Sequence, residues 1–522
     1  MTLDFKSTLN VIRKIENAFE VNSLEYNGIG IWPLIRLAMY MRMHLGDGKI
    51  NKNGARDKSV KDLGSRGFSY NALSKLIRKT NSLTDKIIDL YNIKKYEGLK
   101  KSLRKEGQVD CLFFSRTVDH TDKIKDMSFD RYIDPMIDFV RRKHSCLKME
   151  IDAFPKVKKI PRYEQDYLIN EHEVVGGHII HSRKVQRRWP ISGMNEILKA
   201  YSDITHNKLD KDWILGQAYS IELFTLIFRE LLSIINPRVV FLVCYYYQLA
   251  LALINACKQL DIKTVDIQHG QQSKYHPMYG YWTRIPVNGY ELLPDYFWIW
   301  GDSNQRNILD SRPVTSVFHN PIVGGNRWIP FWKKKKHNFI GRTVEQAQFM
   351  QRLGNYKRII LYALSGEPDI KDLVVEHVMD AIADSPKEWL WLVRLHPQHL
   401  NKIEELTCIL QGKGLRNSDV EYASRSTLYE LFEYISVVVT EESTTSIEAL
   451  YFKIPVIITS QQGSDLYQEY IQNGLFTYAP TRQELYDSLQ KDSNKKLFQK
   501  IDFFVETSDE IADSALSIIM SS

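Results

Sequence analysis

Four short segments of this chain put groups able to handle a phosphate or a hydroxyl at the end of an apolar run. The first is Arg394-Leu395-His396-Pro397, directly after the apolar stretch Trp389–Val393. A guanidinium and an imidazole there suit the charge that develops on a departing phosphate, and Pro397 would fix the turn that holds the ring. The second runs through Glu441-Glu442-Ser443-Thr444-Thr445-Ser446, between the apolar Val437-Val438-Val439 and a helical pattern. Ser443, Thr444 and Thr445 offer hydroxyls together with the unpaired N–H groups of a helix start, which makes an anion site. Glu448, one turn further, is placed to accept from ribose hydroxyls. The third is Val265-Asp266-Ile267-Gln268-His269-Gly270, where Gly270 permits a tight turn that leaves His269 projecting as a general base on a hydroxyl or as a brace for a phosphate. The fourth is Ser115-Arg116-Thr117-Val118-Asp119-His120, in which Asp119 and His120 are candidates for acceptor binding or base catalysis.

Each segment has a plainer reading: a capped strand end with a packed histidine, an N-cap before a surface helix, a histidine satisfied inside its loop, a polar loop. What raises the functional reading is position, because ligands of open α/β sheets bind outside the carboxyl ends of the strands. Missing motifs narrow the chemistry. There is no GxxxxGK[ST], no GxGxxG after a strand and no GxSxG, which argues against a P-loop ATPase, a dinucleotide enzyme and a nucleophile-elbow hydrolase. His399, three residues after His396, invites a metal reading, but no third ligand has suitable spacing, so no metal is expected. The triplet Asp210-Lys211-Asp212 leads into a helical pattern instead of following a buried strand, and is expected as a helix start.

The elements that must hold these groups follow from the apolar pattern. Short continuous runs at Val109–Ser115, Val239–Tyr245, Thr264–Gln268, Tyr296–Trp300, Ile359–Leu364, Trp389–Leu395, Val437–Thr440 and Val456–Thr459 read as strands covered on both faces. Helical segments fall between them, at Leu249–Leu260, Ile370–Ala383, Leu400–Gln411 and Ser446–Phe452, with a long one at Trp213–Ile235 that Pro237 ends. A hairpin is expected around Glu173–His181, with Gly176-Gly177 at its turn. Strand and helix alternation means parallel sheets, and two such runs predict two doubly wound α/β domains with a nucleotide cleft at their strand ends. The boundaries expected are a helical, basic extension over 1–105, a first α/β domain over 106–330, a linker over 331–355 and a second α/β domain over 356–522.

Composition is that of a globular protein: 522 residues, 43% hydrophobic and 25% charged, with a net charge of +7. Five scattered cysteines form no CxxC pair, which fits a reducing compartment, and the first 25 residues lack the apolar core of a signal peptide; a cytoplasmic location is expected. Val239–Cys257 carries no charge, but its first half is β-branched and aromatic and its second half rich in Ala and Leu, so it reads as strand, turn and helix instead of a membrane span. From Lys49 to Lys105 there are 16 basic and 5 acidic residues, either solvated helix faces or a patch for an anionic membrane surface. No nucleic-acid-binding fingerprint accompanies it.

Taken together, Arg394-Leu395-His396-Pro397 and Glu442-Ser443-Thr444-Thr445…Glu448-Ala449…Pro455-Val456 resemble the C-terminal half of bacterial GT-B glycosyltransferases of capsule and lipopolysaccharide assembly. Within that group a His-Pro motif with a Ser/Thr motif is typical of enzymes using CMP-activated sialic acid or Kdo, and Gln268-His269-Gly270 is similar to an element of capsule and teichoic-acid polymer transferases. The resemblance covers about 365–460 and, more loosely, 238–302. It implies two Rossmann-like domains, a nucleotide-sugar donor contacted by His396 and Ser443–Thr445, a glycan or glycolipid acceptor, and no cofactor beyond the donor. One departure stands out: the acidic-acidic-Gly motif that supplies the general base in some bacterial sialyltransferases has only a loose echo here, Ser365-Gly366-Glu367.

Overall fold

A computed structural model describes residues 4–45, 83–117, 120, 122–124, 127–152, 161–164, 166–185, 191–313, 316–336, 343–365, 375–491 and 501–521. Asp119 and most of the basic run before Leu83 lie outside the described residues, as does the 366–374 stretch. The chain forms two compact units, one of residues 1–328 with 507–522 and one of residues 329–506. Each is α/β with a parallel sheet.

The main sheet of the first unit has seven strands, β1 (Cys111–Arg116), β2 (Cys146–Ile151), β3 (Tyr167–Ile169), β4 (Val239–Val243), β5 (Lys263–Ile267), β6 (Tyr296–Ile299) and β7 (Asn320–Val323) along the chain. Their order in the sheet is β7-β6-β5-β4-β1-β2-β3, all parallel. The chain builds outward from β1 in one direction and from β4 in the other, so the reversal lies between β1 and β4. Val239–Val243 is buried at every position, as its unbroken apolar run requires when helices cover both faces. The uncharged stretch Val239–Cys257 is indeed a strand followed by a helix, and no described helix is long and apolar enough to cross a membrane.

Residues 4–45 and 83–106 fold into this unit through helices α1 (Phe5–Ala18), α2 (Trp32–Leu45) and α3 (Leu83–Glu106). Trp32 and Arg36 of α2 are fully buried, and Arg36 meets Glu16 of α1 at 2.6 Å. The hairpin expected at Glu173–His181 is instead helix α4 (Glu171–His181), started by a capping box of Asn170 and Glu173. Its glycine pair serves helix contact, not a turn: a Cβ on Gly176 would sit 2.2 Å from the backbone carbonyl oxygen of Asn92 in α3. The long helix α5 (Lys211–Ile235) starts on Asp210, whose carboxylate accepts from Trp213 N at 3.1 Å, so the acidic triplet is a cap.

The second unit has six parallel strands: β8 (Arg358–Ala363), β9 (Trp389–Arg394), β10 (Ser418–Asp419), β11 (Val437–Thr440), β12 (Val456–Ile458) and β13 (Phe476–Tyr478), in the order β10-β9-β8-β11-β12-β13. The reversal is between β8 and β11. Residues 331–355, expected as a linker, carry most of a helix at Trp328–Lys335 and another at Val344–Leu353. Residues 507–522, grouped by sequence with the second domain, belong to the first unit, where the helix Asp509–Ser521 buries Ala512, Leu516 and Ile519 against Phe113 and Phe241. Two Rossmann-like α/β units, the make-up of the GT-B fold class, therefore hold the described residues.

Candidate functional site

In each unit the candidate residues gather at the carboxyl ends of the strands, around the reversal of strand order. In the second unit Thr440, last residue of β11, bridges that reversal: its hydroxyl donates to the Ala363 carbonyl at the end of β8 at 2.7 Å and accepts from Ser443 N at 3.0 Å. The turn that follows is pinned from both sides. Ser460 Oγ donates to the Glu441 carbonyl at 3.0 Å, Gln462 donates to the Glu442 carboxylate at 2.5 Å, and Tyr467 donates to the Glu442 carbonyl at 2.8 Å. Gly463 allows this approach, since a Cβ there would lie 1.7 Å from the Glu441 carbonyl oxygen.

Residues 441–445 are part-exposed, whereas Ser446–Leu450 are buried. Helix α6 (Thr445–Tyr451) spans 7 residues and has no side-chain cap. Within the turn Ser443 Oγ accepts from Thr445 N at 3.4 Å, while the hydroxyls of Thr444 and Thr445 make no hydrogen bond among the described residues. Glu448 is buried at 6% exposure and takes the Tyr429 hydroxyl at 2.6 Å.

At the end of β9, His396 and Pro397 are exposed, while His399 is buried with its ring 6.4 Å from that of His396. Arg394 commits Nη1 to the carbonyls of Ala423 and Ser426, the latter at 2.8 Å, and so braces the short helix Glu421–Arg425 beside the strand. The second unit therefore brings His396, Thr444 and Thr445 to the same edge of its sheet with side chains at or near the surface, and places Arg394 and Glu448 in its framework.

In the first unit His269 follows β5 and is part-exposed. The Gln268 amide holds the loop, donating to the Gly270 carbonyl at 2.8 Å and accepting from Trp300 N at 2.7 Å. Tyr132 donates to the His269 carbonyl at 2.9 Å, and the Tyr246 hydroxyl stands 3.5 Å from His269 Nε2. Tyr246 lies just beyond β4, and Arg116 at the end of β1 stacks over Tyr247, 4.1 Å from its ring centre. His269 is thus brought to the β1/β4 reversal.

His120 sits in a buried charge network that sequence reading missed. Its Nε2 is 2.5 Å from Glu150 Oε1; Lys148 Nζ is 2.8 Å from that oxygen and 2.6 Å from Asp134, and Arg162 meets Glu150 Oε2 at 2.8 Å. Ser115 donates to Asp130 at 2.5 Å, and Asp130 N donates to Asp134 at 2.8 Å. Burial alone would lower the His120 pKa, but the Glu150 carboxylate on Nε2 outweighs it and holds the imidazole above its ordinary value. Burial pushes the Asp134 carboxyl up to about 7 against the pull of Lys148. A signal was present: Lys148 and Glu150 lie two apart on β2 and so share a face, but these same charges break the apolar run by which the strand would have been found. Among the described residues no three His, Cys, Asp or Glu side chains converge as metal ligands.

No family model and no curated protein sequence matches the chain. Solved structures do resemble it. A UDP-GlcNAc 2-epimerase from Neisseria meningitidis bound to UDP-GlcNAc is 13% identical with a TM-score of 0.47, covering 78% of this chain and 100% of the other. A UGT transferase from Siraitia grosvenorii in complex with UDP is 9% identical, TM-score 0.43, over 79% and 100%. The wall teichoic acid polymerase TagF is 10% identical, TM-score 0.42, over 85% and 98%. The likeness is loose and concerns the fold.

Proposed function

We propose that this chain is a glycosyltransferase that takes a sugar from a nucleotide-activated donor, without a metal ion, and passes it to a polysaccharide or glycolipid of the cell surface. The observation that carries the reading is the pair of Thr444 and Thr445 hydroxyls, part-exposed and without a hydrogen bond among the described residues, beside the β8/β11 reversal where open α/β sheets take their ligands. Hydroxyl donors fixed in a pinned turn stabilise a departing phosphate without having to reorganise. His396, exposed at the end of β9, supplies an imidazole to the same charge. In the first unit His269 and Asp119 serve the acceptor hydroxyl. His120, with its side chain 2% exposed and its Nε2 on Glu150, is left to the buried network and given no part in the transfer.

The finer reading is a CMP-linked donor such as sialic acid or Kdo, which rests on the resemblance of the His-Pro and Ser/Thr motifs. With it goes a cytoplasmic enzyme working at the inner face of the membrane, for which the basic run Lys49–Lys105 is the support. A thermal-shift series with CMP, CDP, UDP and GDP tests the reading, because a ligand of the native state raises the melting temperature by mass action. One pyrimidine nucleotide should shift wild type and fail to shift His396→Ala or the Thr444→Ala/Thr445→Ala double variant. No shift with any of the four rejects the proposal. Product analysis with and without acceptor separates transfer from sugar-nucleotide epimerisation, and CDP-glycerol as donor separates it from polyol-phosphate transfer.

A further inference from the structure

The amino-terminal helices carry aromatic rings toward His269. Along α1 the side chains of Phe5, Leu9, Ile12 and Glu16 repeat at the spacing of one helix face. Glu16 is buried against Arg36 of α2, and Arg36 in turn donates to the carbonyls of Pro277 and Gly280 in the loop that follows His269. One turn beyond Arg36 on the same face stands Tyr40. The result is a run of rings drawn from five segments of chain. Phe5 and Tyr40 stack at 6.0 Å between centres, and both lie against His276, at 5.4 and 5.6 Å. His276 meets Tyr246 at 5.7 Å, Tyr246 meets His269 at 6.2 Å, and His269 meets Tyr132 at 6.3 Å. His276 is buried, whereas Phe5, Tyr40, Tyr246, His269 and Tyr132 all keep part of their surface exposed.

Part-exposed aromatic rings held rigidly in a row, interrupted by imidazoles and phenol hydroxyls, offer two kinds of contact. A ring face attracts the polarised C–H groups on the apolar side of a pyranose, and the phenol and imidazole edges meet its hydroxyls. Gln271 and Gln272, in the same loop, are at least nine-tenths buried and hold amide atoms without a hydrogen-bond partner among the described residues. These are neutral groups, suited to hydroxyls more than to a net charge.

We infer that this aromatic run is an oligosaccharide-binding track that leads the acceptor glycan to His269, and that Phe5 and Tyr40 make the first forty-five residues part of the acceptor site. The inference rests on the glycosyltransferase reading and adds to it the class of acceptor contact and the segment that makes it. Its test is a glycan array of neutral and acidic pyranose oligosaccharides probed with the full-length protein. Phe5→Leu and Tyr40→Leu keep apolar volume while removing the ring faces, and Tyr40→Phe keeps the face. Wild type and Tyr40→Phe should retain the same glycans, and each leucine variant should bind them about tenfold or more weakly, the loss of one aromatic contact. Nucleotide-induced thermal shifts, which report on the second unit, should be unchanged in all variants and confirm that they fold. Absence of glycan binding by wild type, or unchanged binding in both leucine variants, overturns the track; a normal nucleotide shift in that case leaves the donor reading standing.

Discussion

His120 Nε2 and Glu150 Oε1 meet at 2.5 Å across 30 residues of chain, with side chains only 2% and 0% exposed. The carboxylate also answers Lys148 and Arg162, so removing its charge leaves three basic groups facing an amide. Glu150→Gln should cost about 3–5 kcal/mol, as expected when one partner of a buried ion network is lost. The folded-state pKa of His120 lies above its ordinary 6.5, so its share of the stabilisation is complete below about pH 6.5 and fades as pH rises through the folded value. Denaturant unfolding at a series of pH values should show the gap between wild type and Glu150→Gln narrowing toward alkaline pH. Equal stability of the two proteins at pH 6 would remove the network from the account.

Asp266 gives a second pH signature. Its carboxyl is fully enclosed, accepts from Tyr245 N at 3.1 Å and from the Tyr279 hydroxyl at 2.9 Å, and is pushed by burial from 3.8 up to about 8. The folded state keeps a proton that the unfolded state releases, so this group's contribution declines from about pH 4 to pH 8 with a slope of at most about 1.4 kcal/mol per unit. Asp266→Asn keeps the shape and cannot ionise. Its melting temperature should depend less on pH than that of wild type between pH 5 and 8; parallel curves would contradict the buried-carboxyl assignment.

Two helical glycines should respond in opposite directions. Gly176→Ala drives a methyl into the Asn92 carbonyl at 2.2 Å, a backbone contact that cannot swing aside, and should destabilise by about 1–3 kcal/mol. Gly98, in α3, has open space where a Cβ would go, so Gly98→Ala should stabilise by about 0.5–1 kcal/mol. Calorimetric melting of the two variants decides the matter, and a stabilised Gly176→Ala would show that α3 and α4 do not pack as described.

For the reaction itself, His396→Ala should lower turnover by about 10²–10³, the usual cost of losing one donor to developing charge. Because His396 is exposed, its loss should leave melting of the unliganded protein unchanged. Arg394→Lys should behave differently: it cannot hold the Ala423 and Ser426 carbonyls with the geometry of a guanidinium, so melting should fall along with any change in activity. Steady-state kinetics beside thermal melting distinguishes the two. Full turnover in a folded His396→Ala would remove its proposed role.

The strands of both sheets that run as unbroken apolar segments were legible in the sequence, Val239–Val243, Arg358–Ala363 and Val437–Thr440 among them, because such a run is stable only with both faces covered. With them came the two-unit α/β class and the placing of His269, His396 and Ser443–Thr445 at strand ends. Strands that carry charge inward were not legible. Cys146–Ile151 holds Lys148 and Glu150, whose burial is tolerable only because Asp134, Arg162 and His120 arrive from elsewhere to meet them. Nor could local pattern tell a turn glycine from a contact glycine at Gly176, since the difference lies in Asn92 on another helix. By itself, then, the sequence determined that its continuously apolar segments form strands and which polar groups stand at their ends, both being matters of local periodicity. Tertiary structure alone decided that Arg394 and Glu448 serve the framework and that helices α1 and α2 bring Phe5 and Tyr40 beside His276, because a polar or aromatic side chain takes its role from partners distant along the chain.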